Sequence, residues 1–239
     1  MIRSCWDYHT RLEEFTRWLD RVTALGLPIW NPPALLRWNA DKVYLRDLAG
    51  RGIPIVPTRW VSRGERVSLD QVLRDAGWED AVVKPAVSAA AFETWRVHRV
   101  DTPRSAERFA TLLATRDLLV QAFVPAIERD GEWSFCFFGG SYSHAVIKRP
   151  RAGEFRVQES HGGTARRGDP TPELIAQARA VIAALPQPSV YARVDACVVE
   201  GGLRLMELEA LEPSLFLDLD PEAPGRFAAA IAATRLHRQ

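Results

Sequence analysis

What the chain lacks sets its first bounds. No apolar run approaches the ~18 residues of a membrane span, and Met1-Ile-Arg-Ser-Cys-Trp-Asp7 runs into charge where a secretory signal would stay apolar. Both absences favour a cytoplasmic protein. Strong charge of either sign is missing too. The 31 lysines and arginines against 30 aspartates and glutamates give a net +1, which leaves no footprint for nucleic acid or a membrane surface. Cysteine is scarce, and Cys5, Cys136 and Cys197 lack metal-ligand spacing, so buried free thiols are expected rather than disulfides. There is no internal repeat and no Gly-Lys-Ser/Thr phosphate loop. What remains is 239 residues, 47% hydrophobic and 26% charged, enough for one large or two small domains with a substantial core.

The most informative stretch is 191–209, which reads as two strands around Glu200-Gly-Gly202. Alternation sends Val190, Ala192, Val194, Ala196 and Val198 to an apolar face and Arg193, Asp195 and Cys197 to the other. On the return strand Leu203, Leu205, Glu207 and Glu209 share a face. A three-residue loop, 200–202, sets Asp195 opposite Glu207 and Arg193 opposite Glu209. A two-residue loop slips the pairing by one and sends the carboxylates to opposite faces. Opposed carboxylates repel unless something positive lies between them. Mg²⁺ is a natural filler for such an oxygen pair, and neutralising Glu207 is expected to raise the stability of the ligand-free chain. A solvated hairpin face is the plainer account of an arbitrary Asp/Glu pair, so the rest of the chain has to decide.

Taken in order, the periodicities give strands at 2–4 and 28–30 around a helix over 10–25, then a short helix at 34–38. Asn39 is expected to cap a helix running to Ala49. Strands follow at 54–58, 81–85, 95–100 and 118–124, with helices at 69–76 and 105–114. Residues 133–138 and 144–148 pair across Gly139-Gly140, a charged loop fills 149–169, and helices at 172–184 and 225–235 flank the carboxylate hairpin. The loop is polar and long, which marks it as functional and mobile without ligand.

Lys84 ends a strand and is followed by the small residues 86–91, Ser88 among them, an arrangement that cradles phosphate with an ammonium and bare N–H groups. Val120-Gln121-Ala122-Phe123-Val124 can offer backbone groups to a base, with Glu128 beyond it for ribose hydroxyls. Lys148, Arg149, Arg156 and Arg193 add cations suited to a polyphosphate, and His161 is a candidate phosphate contact. Each piece alone is an ordinary surface lysine, core strand or loop histidine.

In this order the pieces resemble the ATP-grasp superfamily over residues 34–220. The resemblance rests on Asn39-Ala-Asp-Lys42, Val83-Lys84-Pro85, Val120-Gln-Ala-Phe123 with Glu128, Phe155-Arg-Val-Gln158 with His161-Gly-Gly163, Arg193-Val-Asp195 and Glu207-Leu-Glu209. Ile2-Arg-Ser-Cys-Trp-Asp-Tyr8, Leu36-Arg-Trp-Asn39 and Glu207-Leu-Glu-Ala-Leu-Glu-Pro213 look closest to glutathione-synthetase-like ligases of the cycloserine cyclo-ligase type. The resemblance implies an α+β fold in which two subdomains clasp ATP. It implies a shortened N-terminal α/β domain at 1–38, a small subdomain with its linking helix at 39–124, and a large metal- and phosphate-binding subdomain at 125–239.

The implied function is an ATP-dependent carboxylate–amine ligase acting on amino-acid or peptide-like molecules through an acyl phosphate, with ATP and Mg²⁺ as cofactors. Lys42 and Lys84 would hold phosphates under the loop containing Ser88. Gln121, Ala122, Phe123 and Val124 would receive adenine and Glu128 the ribose, with His161 near phosphate. Asp195, Glu207 and Glu209 would bind metal, and Arg193, Lys148 and Arg156 would serve catalysis. The expected partners are small-molecule acids and amines, with a homodimer as one admissible assembly. Departures from the family are serine and alanines where the phosphate loop often has glycine, and Glu209 where many relatives have asparagine. The rivals are an ATP-grasp protein that binds nucleotide without ligating, and a metal-dependent hydrolase that would leave Lys42 and Lys84 without work.

Overall fold

The computed structural model of the protein describes residues 1–151, 153–157 and 162–236. Its N-terminal part holds one long helix, α1 (Leu12–Ala24), and among the described residues no strand forms at 2–4 or 28–30. A strand needs a partner edge, and these segments are instead held one atom at a time. Arg3 donates to the Pro213 carbonyl at 2.7 Å, Trp6 to that of Glu212 at 3.2 Å, and the Ile2 carbonyl accepts from the Tyr191 hydroxyl at 2.7 Å. Helix α2 (Pro33–Asn39) opens on a proline, whose missing N–H is harmless in a first turn. Helix α3 (Tyr44–Gly50) follows, but Asn39 does not cap it. Its amide donates to the Leu208 carbonyl at 2.7 Å and accepts from the Ala210 N–H at 2.6 Å, which ties α2 to a distant strand end.

Four strands form the first antiparallel sheet: β1 (Thr58–Val61), β2 (Asp80–Pro85), β3 (Trp95–His98) and β4 (Leu118–Ala122), in the order β1-β4-β2-β3. The strand expected at 54–58 starts later because Pro54 and Pro57 cannot donate to a ladder. Residues 54–56 run beside Leu205 instead, exchanging two bonds of 2.9 Å with it. Helix α4 (Leu69–Ala76) begins where the Ser68 hydroxyl accepts from the Gln71 N–H and ends at Gly77, whose φ of +69° suits a residue without Cβ. With α5 (Thr102–Leu113) it covers one face of this sheet through Leu73, Phe109 and Leu113.

The second sheet has five antiparallel strands. After α6 (Ala126–Asp130) come β5 (Glu132–Phe138), β6 (Ser141–Arg149), β7 (Thr164–Gly168), β8 (Tyr191–Val199) and β9 (Gly202–Glu209), in the order β7-β6-β5-β8-β9. Helix α7 (Pro172–Ala183) and α3 bury its inner face, where Phe135, Phe137, Val194 and Leu205 meet Leu45, Leu48 and Ala178. Thus α3 packs on the large sheet, although the expected boundaries group it with residues 39–124. At the far end α8 (Ala223–Leu236) lays Phe227 on Phe138, ring centroids 4.9 Å apart. Strand β7 lies within the stretch expected as a loop; its residues 164–168 pair with 145–149. A polar edge strand has no apolar period to betray it.

The carboxylate hairpin differs from expectation in an instructive way. Its turn has two residues, Glu200 (φ +52°) and Gly201 (φ +78°), and Val199 pairs with Gly202. Positive φ at both central positions matches the twist of the flanking strands. By itself such a turn separates the carboxylates, yet Asp195 pairs with Glu207 and Arg193 with Glu209. A bulge restores the phase: Ala196 pairs with Leu205, Asp195 with Glu207, and Met206 is the extra residue. Leu203 and Leu205, expected on the carboxylate face, therefore turn into the core with Leu208. Glu207 and Glu209 turn the other way.

Candidate active site

The outer face of the five-stranded sheet and the β2–β4 part of the smaller sheet line a cavity of about 350 Å³. Alternation along β8 orders its contents. Tyr191 packs under α8, Arg193 and Asp195 come next, and Cys197 and Val199 reach an apolar slot with Val56, Ile127, Val157 and Met206. Ala122, Phe123 and Val124 border that slot, and Gln121 lies beside them. At the other end stand Trp6, Tyr8, Leu211, Glu212 and Phe216.

The chain contains three lysines, and Lys42, Lys84 and Lys148 are all buried against this cavity. The Lys42 ammonium donates to the Ser88 carbonyl, lies 3.1 Å from the Ser88 hydroxyl, and sits 3.1 Å from Glu207. Lys148 lies 2.5 Å from Glu132 and 3.4 Å from Asp195. Arg193 clasps Asp195 at 2.8–3.2 Å, and it also donates to Glu209 and to the Ser214 carbonyl. The Ser134 hydroxyl completes the shell of Asp195 at 2.5 Å. Gly131 makes the Lys148 contact possible. Its φ is +91°, and a Cβ there would stand 2.7 Å from the Lys148 carbonyl. Only glycine lets β5 start against β6 so that Glu132 faces Lys148.

The charges are unevenly satisfied. Burial opposes ionisation of Asp195, but Arg193 and Lys148 outweigh it and hold the carboxyl well below its usual range. Burial likewise opposes charge on Glu207, and Lys42 and Lys84 overcome it. The positive charge between the opposed carboxylates is therefore supplied by side chains. Neutralising Glu207 would remove an ion pair, so the expected gain in ligand-free stability is not supported. Glu209 fares worse: burial, helped by Glu207 and Asp195, pushes it up to about 7 despite Arg193. Burial pulls Lys84 down to about 8.

Mg²⁺ fits part of this donor set. Glu207 and Glu209 present oxygen to the cavity with side chains 30% and 27% exposed. Asp195 has its oxygens engaged by Arg193, Lys148 and Ser134, and among the described residues no three acidic, cysteine or histidine groups converge as a metal cluster.

Of the residues singled out from sequence, Arg156 lines the cavity as well, paired to Glu154 at 2.6 Å. Glu128 does not; it sits on α6, paired to Arg96 at 2.9 Å, in an adjoining open hollow. His161 lies outside the described residues. Glu132 lines the cavity without having been singled out, and so do Trp6, Tyr8 and Glu212, which the sequence offered only inside motifs and without a role. A count of lysines would have flagged the site: a residue type this rare in a chain rich in arginine is worth locating.

Residues 1–31 match the family described as D-cycloserine synthetase DcsG, N-terminal domain. Over 244 residues the chain is 31% identical to the cycloserine biosynthesis protein DcsG of Streptomyces lavendulae, covering 97% of this chain and 81% of that one. The chain belongs to the ATP-grasp carboxylate–amine ligases. The crystal structure of a D-cycloserine synthetase DcsG matches this ATP-grasp ligase with a TM-score of 0.86 at 31% identity, over 97% of this chain and 82% of that one. A Bacillus anthracis D-alanine–D-alanine ligase complexed with ATP shares the fold at a TM-score of 0.70 and 20% identity, over 92% of this chain and 74% of that one. The α+β architecture expected from the motifs is the one observed, and the N-terminal part of this ATP-grasp ligase is short and helical.

Proposed function

We propose that this ligase uses ATP to convert a small amino-acid-like acid to its acyl phosphate and then joins it to an amine, releasing ADP and phosphate. The observation that carries the reading is the meeting of three lysines and Arg193 with Asp195, Glu207 and Glu209 in one cavity that runs on from an apolar slot. A carboxylate is a poor electrophile, and phosphoryl transfer to it creates a leaving group. That transfer is chiefly a matter of positioning and charge neutralisation. Adenine would enter the slot beside Ala122, Phe123 and Val124, with Gln121 at its edge. Lys42, Lys84 and the Ser88 loop would hold phosphates, and Lys148 and Arg156 would face the transferring group. Arg193 would hold the negative charge that develops when the amine attacks. Mg²⁺, held by Glu207 and Glu209 with Asp195 beside them, would supply Lewis-acid charge at phosphate oxygens. Glu128 is left out of the proposed set, because Arg96 engages it away from the cavity.

No protein nucleophile is proposed. Cys197 sits in the apolar slot, and burial pushes its thiol up to about 11, which leaves little thiolate. The likeness to a D-cycloserine synthetase supports an amino-acid-like substrate. The test supplies ATP, Mg²⁺ and a panel of amino acids and dipeptides, with hydroxylamine as the amine. ADP and a hydroxamate should accumulate; AMP with pyrophosphate would mean adenylation and end this proposal.

A further inference from the structure

At the end of the cavity away from the apolar slot one buried carboxylate has no pairing partner among the described residues. Glu212 is 8% exposed and lines the cavity on the segment that leaves β9. Among the described residues neither a hydrogen bond nor an ion pair reaches its carboxylate, and burial followed by the charges of Glu209 and Glu207 pushes it up to about 8. The nearby cations are already engaged, Lys42 by Glu207 and Ser88, and Arg193 by Asp195, Glu209 and the Ser214 carbonyl. The N-terminal segment closes over this point. The Trp6 indole N–H donates to the Glu212 main-chain carbonyl at 3.2 Å, and the buried Tyr8 faces the same space, its hydroxyl unpartnered among the described residues.

A buried charge is strongly disfavoured unless paired. The cations nearest Glu212 are taken up by other carboxylates, and two aromatic side chains beside an unpaired carboxylate suit an ammonium ion. We infer that Glu212, with Tyr8 and Trp6, receives the protonated amine of an α-amino-acid substrate, so that the ligase requires an amino group in addition to the reacting carboxylate. The inference rests on the proposed ligase reading for its setting. Glu212 would act as a specificity residue, with no part in phosphoryl transfer.

The experiment is a binding cycle that does not depend on turnover. Calorimetry with ADP and Mg²⁺ present measures a panel of the common amino acids in both enantiomers, then the desamino analogue of the best binder, on wild type and Glu212→Gln. A lost charge-assisted contact should weaken the amino acid roughly 10- to 100-fold. Removing the amine from the ligand should have the same effect, and the two changes together should add little beyond either alone. ADP affinity should stay the same. Glu212→Gln should melt at least as high as wild type, and Glu212→Asp, which keeps the charge, should keep the preference for the amine. Equal weakening of the amino acid and its analogue would overturn the inference. So would unchanged amino-acid binding with a raised Mg²⁺ requirement, or no binding of any amino acid. If hydroxylamine trapping fails while the cycle shows coupling, the ligase reading falls and the amine receptor stands.

Discussion

Lys84 and Glu212 are both buried without a full counter-charge, and their signs give the ligand-free protein an unusual pH dependence. Glu209 and Glu212, raised from about 4.5 to about 7 and about 8, keep protons in the folded chain that the unfolded chain has already lost. Stability therefore falls as pH rises through that window. Lys84 is lowered from 10.5 to about 8, so above that the unfolded chain holds the extra proton and stability rises with pH. Cys5, Cys136 and Cys197, whose thiols burial raises, oppose that rise from about pH 9, and His9 and His144, lowered by burial, oppose the fall below about pH 6.5, so the net loss of stability lies between about pH 6.5 and 8. A tenfold difference in proton affinity between folded and unfolded chain corresponds to ~1.4 kcal/mol, and about 1 kcal/mol moves the melting midpoint of a domain this size by roughly 2–4 °C. Thermal midpoints from pH 6.5 to 8 at fixed ionic strength should fall. A midpoint that climbs steadily up to pH 8 would show that these groups are compensated in solution.

At the scale of elements, the bulge at Met206 separates two constraints that one strand could not meet with strict alternation. Leu203 and Leu205 belong in the core and Glu207 and Glu209 in the cavity, so one residue must be out of step. Deleting Met206 should then leave a regular ladder with every remaining side chain on its present face. The deleted chain should still melt cooperatively, with nucleotide bound roughly tenfold more weakly because the apolar slot has lost a wall. Deleting Ala196 from β8 has no such remedy and should abolish folding. If the first deletion unfolds the protein and the second does not, the bulge does not have this role. Elements with local chemistry at their ends were legible in advance: α4 between Ser68 and Gly77, α7 after Thr171-Pro172, and β8 by its alternation. Elements set by distant partners were not. Asn39 bonds residues 169 and 171 positions away, and β7 is a polar edge whose strand state comes from β6. The two-residue turn hides behind Glu200, a residue that seldom adopts positive φ.

For the whole molecule, the ordered motifs, chiefly on β2, β4, β8 and β9, made the ATP-grasp fold and most of the cavity's charged lining readable. Glu132 and Glu212 escaped because tertiary approach gives them their surroundings: one faces Lys148 across a glycine-dependent ladder, the other lies under an N-terminal segment docked some two hundred residues downstream. The placement of the lysines has a further chemical meaning. All three lysines are buried, so the exposed cationic side chains among the described residues are arginines, and guanidinium does not acylate under ordinary conditions. If the proposed acyl phosphate forms, it is itself an acylating agent, and the protein offers it almost no lysine on its surface. Amine-directed labelling should exploit the same property. A dilute acylating reagent at pH 8 should modify the amino terminus and then Lys84, which burial shifts toward the free amine, and Mg-ATP should shield Lys84 from it. Mass spectrometry of the labelled peptides reads the order directly. Earlier labelling of Lys42 or Lys148, or indifference to nucleotide, would mean that Lys84 is not the free amine at the phosphate end of the site.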